Sequence, residues 1–508
     1  MSASTERKMR QAARAAGTDK KMLAAQQAAE QKKKSNRRWT LGTIAVILLI
    51  ALIFFLDSGF LYTKTTAVTI GDEKYTPAEV SYRYARSYIN TANQYGNYAS
   101  VFGLSGGLGS LATTDCPFGE GTWRDYLLDE TITEMEQTKA LTDYAAANGI
   151  SLDADETAEI DSALTELESY AKTNGFRNAS AFLAANYGTG VNTAIARETD
   201  LASALAAKVY TAYSESLSYT AEQLEEEYQS YNGDHDLFTY VIYTVNAAVE
   251  EGAEAPTEEA LAEAHADAEA VSMAYTDGDD IDDVQERFEA AVDSQFEGET
   301  PTVRSGMYGS NLSADYKEWM LDAGRKAGDV LVADSTSGSS VIVFLSRDDN
   351  HYATANVRHI LVKAEADEDG NYSDEALEAA RTKAEEILAE WEAGEKTEES
   401  FAALAEEYSE DPGSSANGGL YENVARGQMV DEFDAFIFGE RKSGDTAIVY
   451  GNNGSYAGYH VMYYVGEGGQ YSDLIAESSL RSSDVSAWLE ELTAGYEAVR
   501  GNALRRVG

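Results

Sequence analysis

Apolar positions divide the chain into three regimes. The first is one unbroken run of apolar and small residues, LGTIAVILLIALIFFL from Leu41 to Leu56, with Trp39 before it and Phe60, Leu61 and Tyr62 after it. A membrane span needs about 20 residues. Trp39 to Tyr62 is therefore the predicted transmembrane helix, its aromatic ends suited to the two interfaces. The second regime, residues 63–230, has helical spacing. Leu128, Ile132 and Met135 share one face, as do Ile160, Leu164, Leu167 and Ala171, and then Leu201, Leu205 and Val209. Asn148-Gly149 and Asn174-Gly175 read as helix stops. Asp153 with Glu156, and Thr220 with Gln223, read as helix starts. A short strand, Ala67–Ile70, precedes these helices. The third regime has strand-like runs at Phe238–Val245, Val341–Leu345, Val357–Lys363 and His460–Tyr464. A helical segment through Leu480, Val485, Trp488, Leu489 and Leu492 closes the chain, within residues 468–508. It is expected to pack on the 63–230 domain.

The third regime repeats itself. RKAGDVLV from Arg325 returns as RKSGDTAIV from Arg441, and each is preceded by a short aromatic helix-like stretch. Each copy reads strand, helices, turn, strand, closing strand. This predicts two α+β domains, 231–350 and 353–467. Aligning the strand runs places Tyr240 at the position of His359 and Val341 at that of His460. On that reading the first copy is a degenerate form of the second, and the whole chain is a multidomain α+β protein.

Charge adds an orientation. Residues 1–38 carry eleven Lys or Arg against Glu6, Asp19 and Glu30, a net +8. The chain as a whole is −48, which leaves −56 beyond residue 38. The basic block before the apolar run predicts a cytoplasmic N-terminal tail and an extracytoplasmic remainder. So acidic an ectodomain lacks the basic face that a nucleic-acid partner requires. Cys116 is alone, so an intramolecular disulfide is excluded. The 508 residues are enough for about three folded units.

The second copy carries the chemistry. RHILVK from Arg358, FAALAEEYSEDPGSSANGGL from Phe401, RGQM from Arg426, RKSGD from Arg441 and GYH ending at His460 occur in that order. At these residues the chain resembles the parvulin prolyl isomerases, and the wider layout resembles PrsA-like and SurA-like foldases. The resemblance implies a paired-histidine network of His359 and His460. Asp411 stands at the position held by Cys or Asp. Met429 and Phe433 match the proline pocket, which Tyr421 completes. It implies no cofactor and no metal. Taken alone, a strand histidine is by default a core residue, and Asp411 before Pro412-Gly413 is a turn residue. Three departures stand out. Ala457 replaces a hydroxyl residue just before Gly-x-His, leaving Ser455 or Tyr456 as the nearby hydroxyls. The loop 451–457 is long. Gly418-Gly-Leu-Tyr-Glu422 replaces GGDLG.

The expected function is peptidyl-prolyl isomerisation of newly exported, unfolded chains containing X-Pro bonds, at the outer side of the cytoplasmic membrane. The alternative is a holdase whose isomerase activity is weak or dispensable. A homodimer is left open.

Overall fold

The computed structural model describes residues 3–17, 24, 32–33, 39–50, 59–277, 283–367 and 370–508. Residues 39–50 are helical, and Leu41, Ile44, Ile47 and Leu49 on that stretch are exposed. Among the described residues no helix is long and apolar enough to cross a membrane. The part of the expected span at 51–58 lies outside the described residues.

The chain divides into two compact units, 1–217 with 484–508, and 218–483. In the first, β1 (Val68–Ile70) pairs with β2 (Glu73–Tyr75) and with the C-terminal strand Val499–Arg500. Reciprocal capping boxes start the helices that follow. Thr76 with Glu79 opens Pro77–Tyr95, Thr122 with Asp125 opens Trp123–Asn148, and Asp153 with Glu156 opens Ala154–Thr173. Gly149, at φ 70°, ends the second of these in the left-handed conformation that glycine adopts without strain. Tyr84, Leu104, Leu111, Trp123, Leu127 and Met135 lie in the main core of this unit. The C-terminal segment contributes Trp488, whose ring stacks on Tyr213 at 3.9 Å and meets Tyr144 edge-on at 5.5 Å.

The second unit holds two four-stranded antiparallel sheets of the same order. In one, β4 (Thr302–Tyr308), β3 (Leu237–Asn246), β6 (Gly338–Asp348) and β5 (Val330–Ser335) lie side by side. In the other the order is β8 (Leu420–Val424), β7 (Ala353–Lys363), β10 (Ala457–Gln470) and β9 (Thr446–Asn452). Each sheet buries one face under two helices. These are Glu258–Asp277 with Val284–Gln295 in the first copy, and Asp374–Ala393 with Glu398–Tyr408 in the second. The opposite face receives one short helix, Ala314–Leu321 or Asp431–Ile437. Helix Ala221–Ser230, expected with the helical domain, groups with this unit. Its Tyr228 hydroxyl donates to Asp236 (3.1 Å) and accepts from the buried Asn350 amide (2.9 Å).

The ladder corrects the alignment of the two copies. Phe344 N–H donates to Asp329 O, and Tyr464 N–H donates to Asp445 O, each at 2.9 Å. Phe344 and Tyr464 therefore hold the same place relative to the shared RKxGD turn. Counting back along β6 and β10 puts Ser340, not Val341, at the position of His460. Across the ladder, Ile242 pairs with Ile342 as His359 pairs with Met462. Ile242, not Tyr240, thus stands where His359 does. The sequence alignment missed this because the turns between strands differ in length and β3 has a register shift between Thr239 and Tyr240. A one-residue slip in a strand moves a side chain to the opposite face, and Val341 indeed packs with the two-helix side.

Candidate active site

β7 and β10 are neighbours, and their pleat sends alternate side chains to the face covered by the short helix. Leu361 pairs with His460 and His359 with Met462, so both histidines reach that face from adjacent strands. Each is 3% exposed. Their rings lie 5.1 Å apart at 23°, with Nδ1 of His359 2.9 Å from Nδ1 of His460. Asp411 comes from the loop after helix Glu398–Tyr408, and its Oδ2 is 2.9 Å from His359 Nε2.

Three more side chains complete the network. Tyr421, on β8, donates to Asp411 Oδ2 at 2.9 Å. Ser414 donates to the same oxygen at 2.6 Å and lies 3.1 Å from His359 Nε2. The Tyr456 hydroxyl is 3.0 Å from His460 Nε2. Gly413 N–H donates to Asp411 Oδ1 at 3.1 Å. A carboxylate can only accept, so the proton positions follow. With both rings neutral, His359 donates through Nε2, which leaves its Nδ1 to accept from His460 Nδ1–H. His460 Nε2 then accepts from Tyr456. Every hydrogen bond runs one way, from phenol to carboxylate.

Electrostatics follow from the same contacts. The hydrogen bond from His359 holds the Asp411 carboxyl well below the usual carboxylate range, against the opposing effect of burial. Burial, reinforced by His359, pushes His460 down to about 3, with Asp411 opposing. Burial raises the Tyr421 and Tyr456 phenols, so both remain donors at neutral pH. A pH dependence follows. Unfolded, His460 binds a proton below about pH 6.5; folded, it stays neutral down to about 3. Stability is therefore lost as pH falls through that window, by at most about 1.4 kcal/mol per pH unit. Asp411 acts in the same direction lower down. Its depressed folded pKa contributes stability above about pH 3.9 that is lost on further acidification. The urea midpoint of this sheet in a His460→Gln variant is expected to fall less steeply between pH 7 and 4 than in the parent.

The network forms one wall of a cavity of about 390 Å³. Met429, Val430, Phe433 and Leu361 supply its apolar lining, and Gln428 and Asn453 its neutral amides. The Phe433 ring, 2% exposed, meets His359 at 5.6 Å and His460 at 5.5 Å, edge-on to both. Asp434 on the same short helix accepts from Gly427 N–H and so pins the loop that carries Gln428 and Met429. Two glycines permit the close packing. A Cβ at Gly451 would sit 2.5 Å from His460 Nε2, and one at Gly419 (φ 72°) 2.2 Å from His359 O.

All six residues singled out in the sequence meet here: His359, Asp411, His460, Tyr421, Met429 and Phe433. Tyr421 lines the cavity, and its hydroxyl also belongs to the carboxylate network. Ser414 was missed. Its signal was its place three residues after Asp411 in the same turn, where a hydroxyl can reach back to the carboxylate.

Residues 342–463 match the model of the PPIC-type PPIase domain. Chaperone SurA of Alkalilimnicola ehrlichii is 36% identical over 117 residues, which cover 22% of this chain and 25% of that protein. The chain thus matches about a quarter of the length of that curated relative. Among solved structures, PrsA from Bacillus cereus is similar at 26% identity, covering 28% of this chain and 49% of that one, with a TM-score of 0.19. PrsA from Bacillus subtilis covers 75% of this chain and 90% of its own at 15% identity, with a TM-score of 0.28. The two-histidine cavity falls wholly inside the matched span, and this chain therefore carries a PPIC-type, that is parvulin-type, peptidyl-prolyl isomerase domain.

Proposed function

We propose that the protein is a peptidyl-prolyl cis-trans isomerase that assists the folding of exported chains, with His359, Asp411 and His460 as its catalytic network and Met429, Phe433 and Tyr421 forming the proline site. The observation that carries this reading is the hydrogen-bonded chain Tyr456–His460–His359–Asp411, set beside an apolar cup. Rotating an X-Pro bond crosses a barrier of about 18–20 kcal/mol, because the planar amide is resonance-stabilised. No bond is broken, so the task is to bind the twisted amide better than the planar one. The cup removes the strongly dipolar planar amide from water and grips the ring. A fixed array of dipoles faces the amide without having to reorganise during rotation. The reaction asks for no cofactor.

Membrane anchoring belongs to the same proposal. It is supported by the run Leu41–Leu56, the exposed apolar side chains on residues 39–50 and the +8 tail before them. An N-terminus in the cytoplasm and an ectodomain outside follow from that charge bias.

A second reading has its own support. The first copy has Ile242 and Ser340 where the second has His359 and His460, so it lacks the network and would serve binding alone. Dose separates the two readings. A client whose refolding is limited by a prolyl bond is expected to refold faster with the full chain at a small fraction of the client concentration. Benefit confined to stoichiometric amounts would favour the holdase.

A further inference from the structure

We propose that Tyr456 is a positioning residue for prolyl isomerisation, its hydroxyl capping His460 Nε2 and so holding, from the far end, the tautomer that Asp411 sets through His359. This rests on the isomerase reading and extends it to a residue outside the motif that carries the resemblance. The polar contacts of the two imidazoles come from different parts of the fold. His359 Nε2 meets Asp411, the two Nδ1 atoms meet each other, and His460 Nε2 meets the Tyr456 hydroxyl at 3.0 Å. Asp411 fixes His359 from one end. Among the described residues, Tyr456 is the hydrogen-bond partner of His460 Nε2 at the other end.

The consequence is one of proton bookkeeping. Neutral His460 carries its proton on Nδ1 or on Nε2. With Tyr456 donating to Nε2, the proton must sit on Nδ1, where it donates to His359. Without that donor, the Nε2–H form becomes accessible. His460 Nδ1 then faces His359 Nδ1 with two lone pairs and no proton between them. His359 can repair this only by moving its own proton away from Asp411, which would leave a lone pair against the carboxylate.

The structure holds the hydroxyl in place by means independent of the histidines. Tyr456 sits on the hairpin between β9 and β10. Asn453 Oδ1 accepts from both Ser455 N–H (3.0 Å) and Tyr456 N–H (3.2 Å), and Asn453 N–H donates to Tyr456 O (3.3 Å). Asn452 Oδ1 accepts from Gly454 N–H at 2.9 Å. The hairpin is thus shaped by its own side chains, and it presents both Tyr456 and Asn453 to the cavity. The long 451–457 loop and the missing hydroxyl at Ala457 share one explanation: the loop delivers the hydroxyl from the neighbouring position.

The test is Tyr456→Phe in the full chain, which keeps the ring and removes only the oxygen. Five histidines make selective ¹⁵N-histidine labelling tractable. In the parent, His460 is expected to show a single tautomer with the proton on Nδ1. In Tyr456→Phe it is expected to show Nε2–H population, with kcat for an X-Pro peptide down about tenfold, the loss one neutral hydrogen bond supports, and KM changed less than about twofold. Asn453→Ala, which loosens the hairpin and keeps the hydroxyl, is expected to change tautomer and kcat in the same direction by less. A Tyr456→Phe protein whose His460 stays wholly in the Nδ1–H form, or whose kcat equals the parent's, overturns the proposal. The tautomer is read whether or not the parent is an isomerase, so the failure of one reading does not pass for the failure of the other.

Discussion

Asp411→Asn is expected to lower kcat/KM for X-Pro peptides by on the order of 10²-fold, comparable to removing one element of a preorganised polar site. One oxygen of Asp411 accepts from His359, Ser414 and Tyr421, and the other from Gly413 N–H. An acceptor with four donors around it has to be a carboxylate. Asparagine can keep its oxygen toward the three side chains only by turning its NH2 group onto Gly413 N–H. The reverse flip points the NH2 group at three donors. Either choice breaks a buried contact and removes the charge that sets the direction of the His359–His460 pair. Such a loss costs more in a cavity than in water, because the surroundings cannot resolvate the groups left unpaired. The loss is expected in kcat, with peptide KM moving little, since the cup is untouched.

Phe433→Ala is the second large effect, and it acts on stability and binding together. The ring is fully buried among Val357, Met462, Phe436 and Ile437 on the short-helix face, and it abuts both imidazoles. Its removal deletes apolar contacts and opens a void, a change that costs about 3–5 kcal/mol at buried aromatic sites. Faster amide exchange in β7 and β10, with little change in the 1–217 unit, is the expected signature. The floor of the cup goes with the ring, so KM rises as well. Phe433→Leu, which keeps most of the volume, is expected to recover much of the stability but less of the affinity.

Much of this site was legible in the sequence, and the reasons are specific. His359 and His460 lie on strands with alternating patterns, so their common face could be read from parity once the strands were paired. Asp411 and Tyr421 fell within ordered motifs. The helix starts at Asp153 and Thr220 were legible because a capping box is a local device, complete within four residues. What failed was non-local. The equivalence of the two copies depended on loop lengths and on a register shift in β3, and sequence spacing alone misplaced it. Ser414 escaped because its role depends on how the Asp411 turn folds back toward β7. Helix Ala221–Ser230 looked like one more member of the helical domain. Its partner Asn350 lies 122 residues beyond Tyr228, and only the folded structure brings the two together.

The isomerase reading meets its most direct test in the cis-to-trans rate of short X-Pro peptides with the full chain, beside His460→Ala and Asp411→Asn. The predicted result is acceleration by the parent that both variants largely lose while their folded spectra remain those of the parent. No acceleration by the parent across a panel of residues before proline, or equal acceleration by all three proteins, would contradict it.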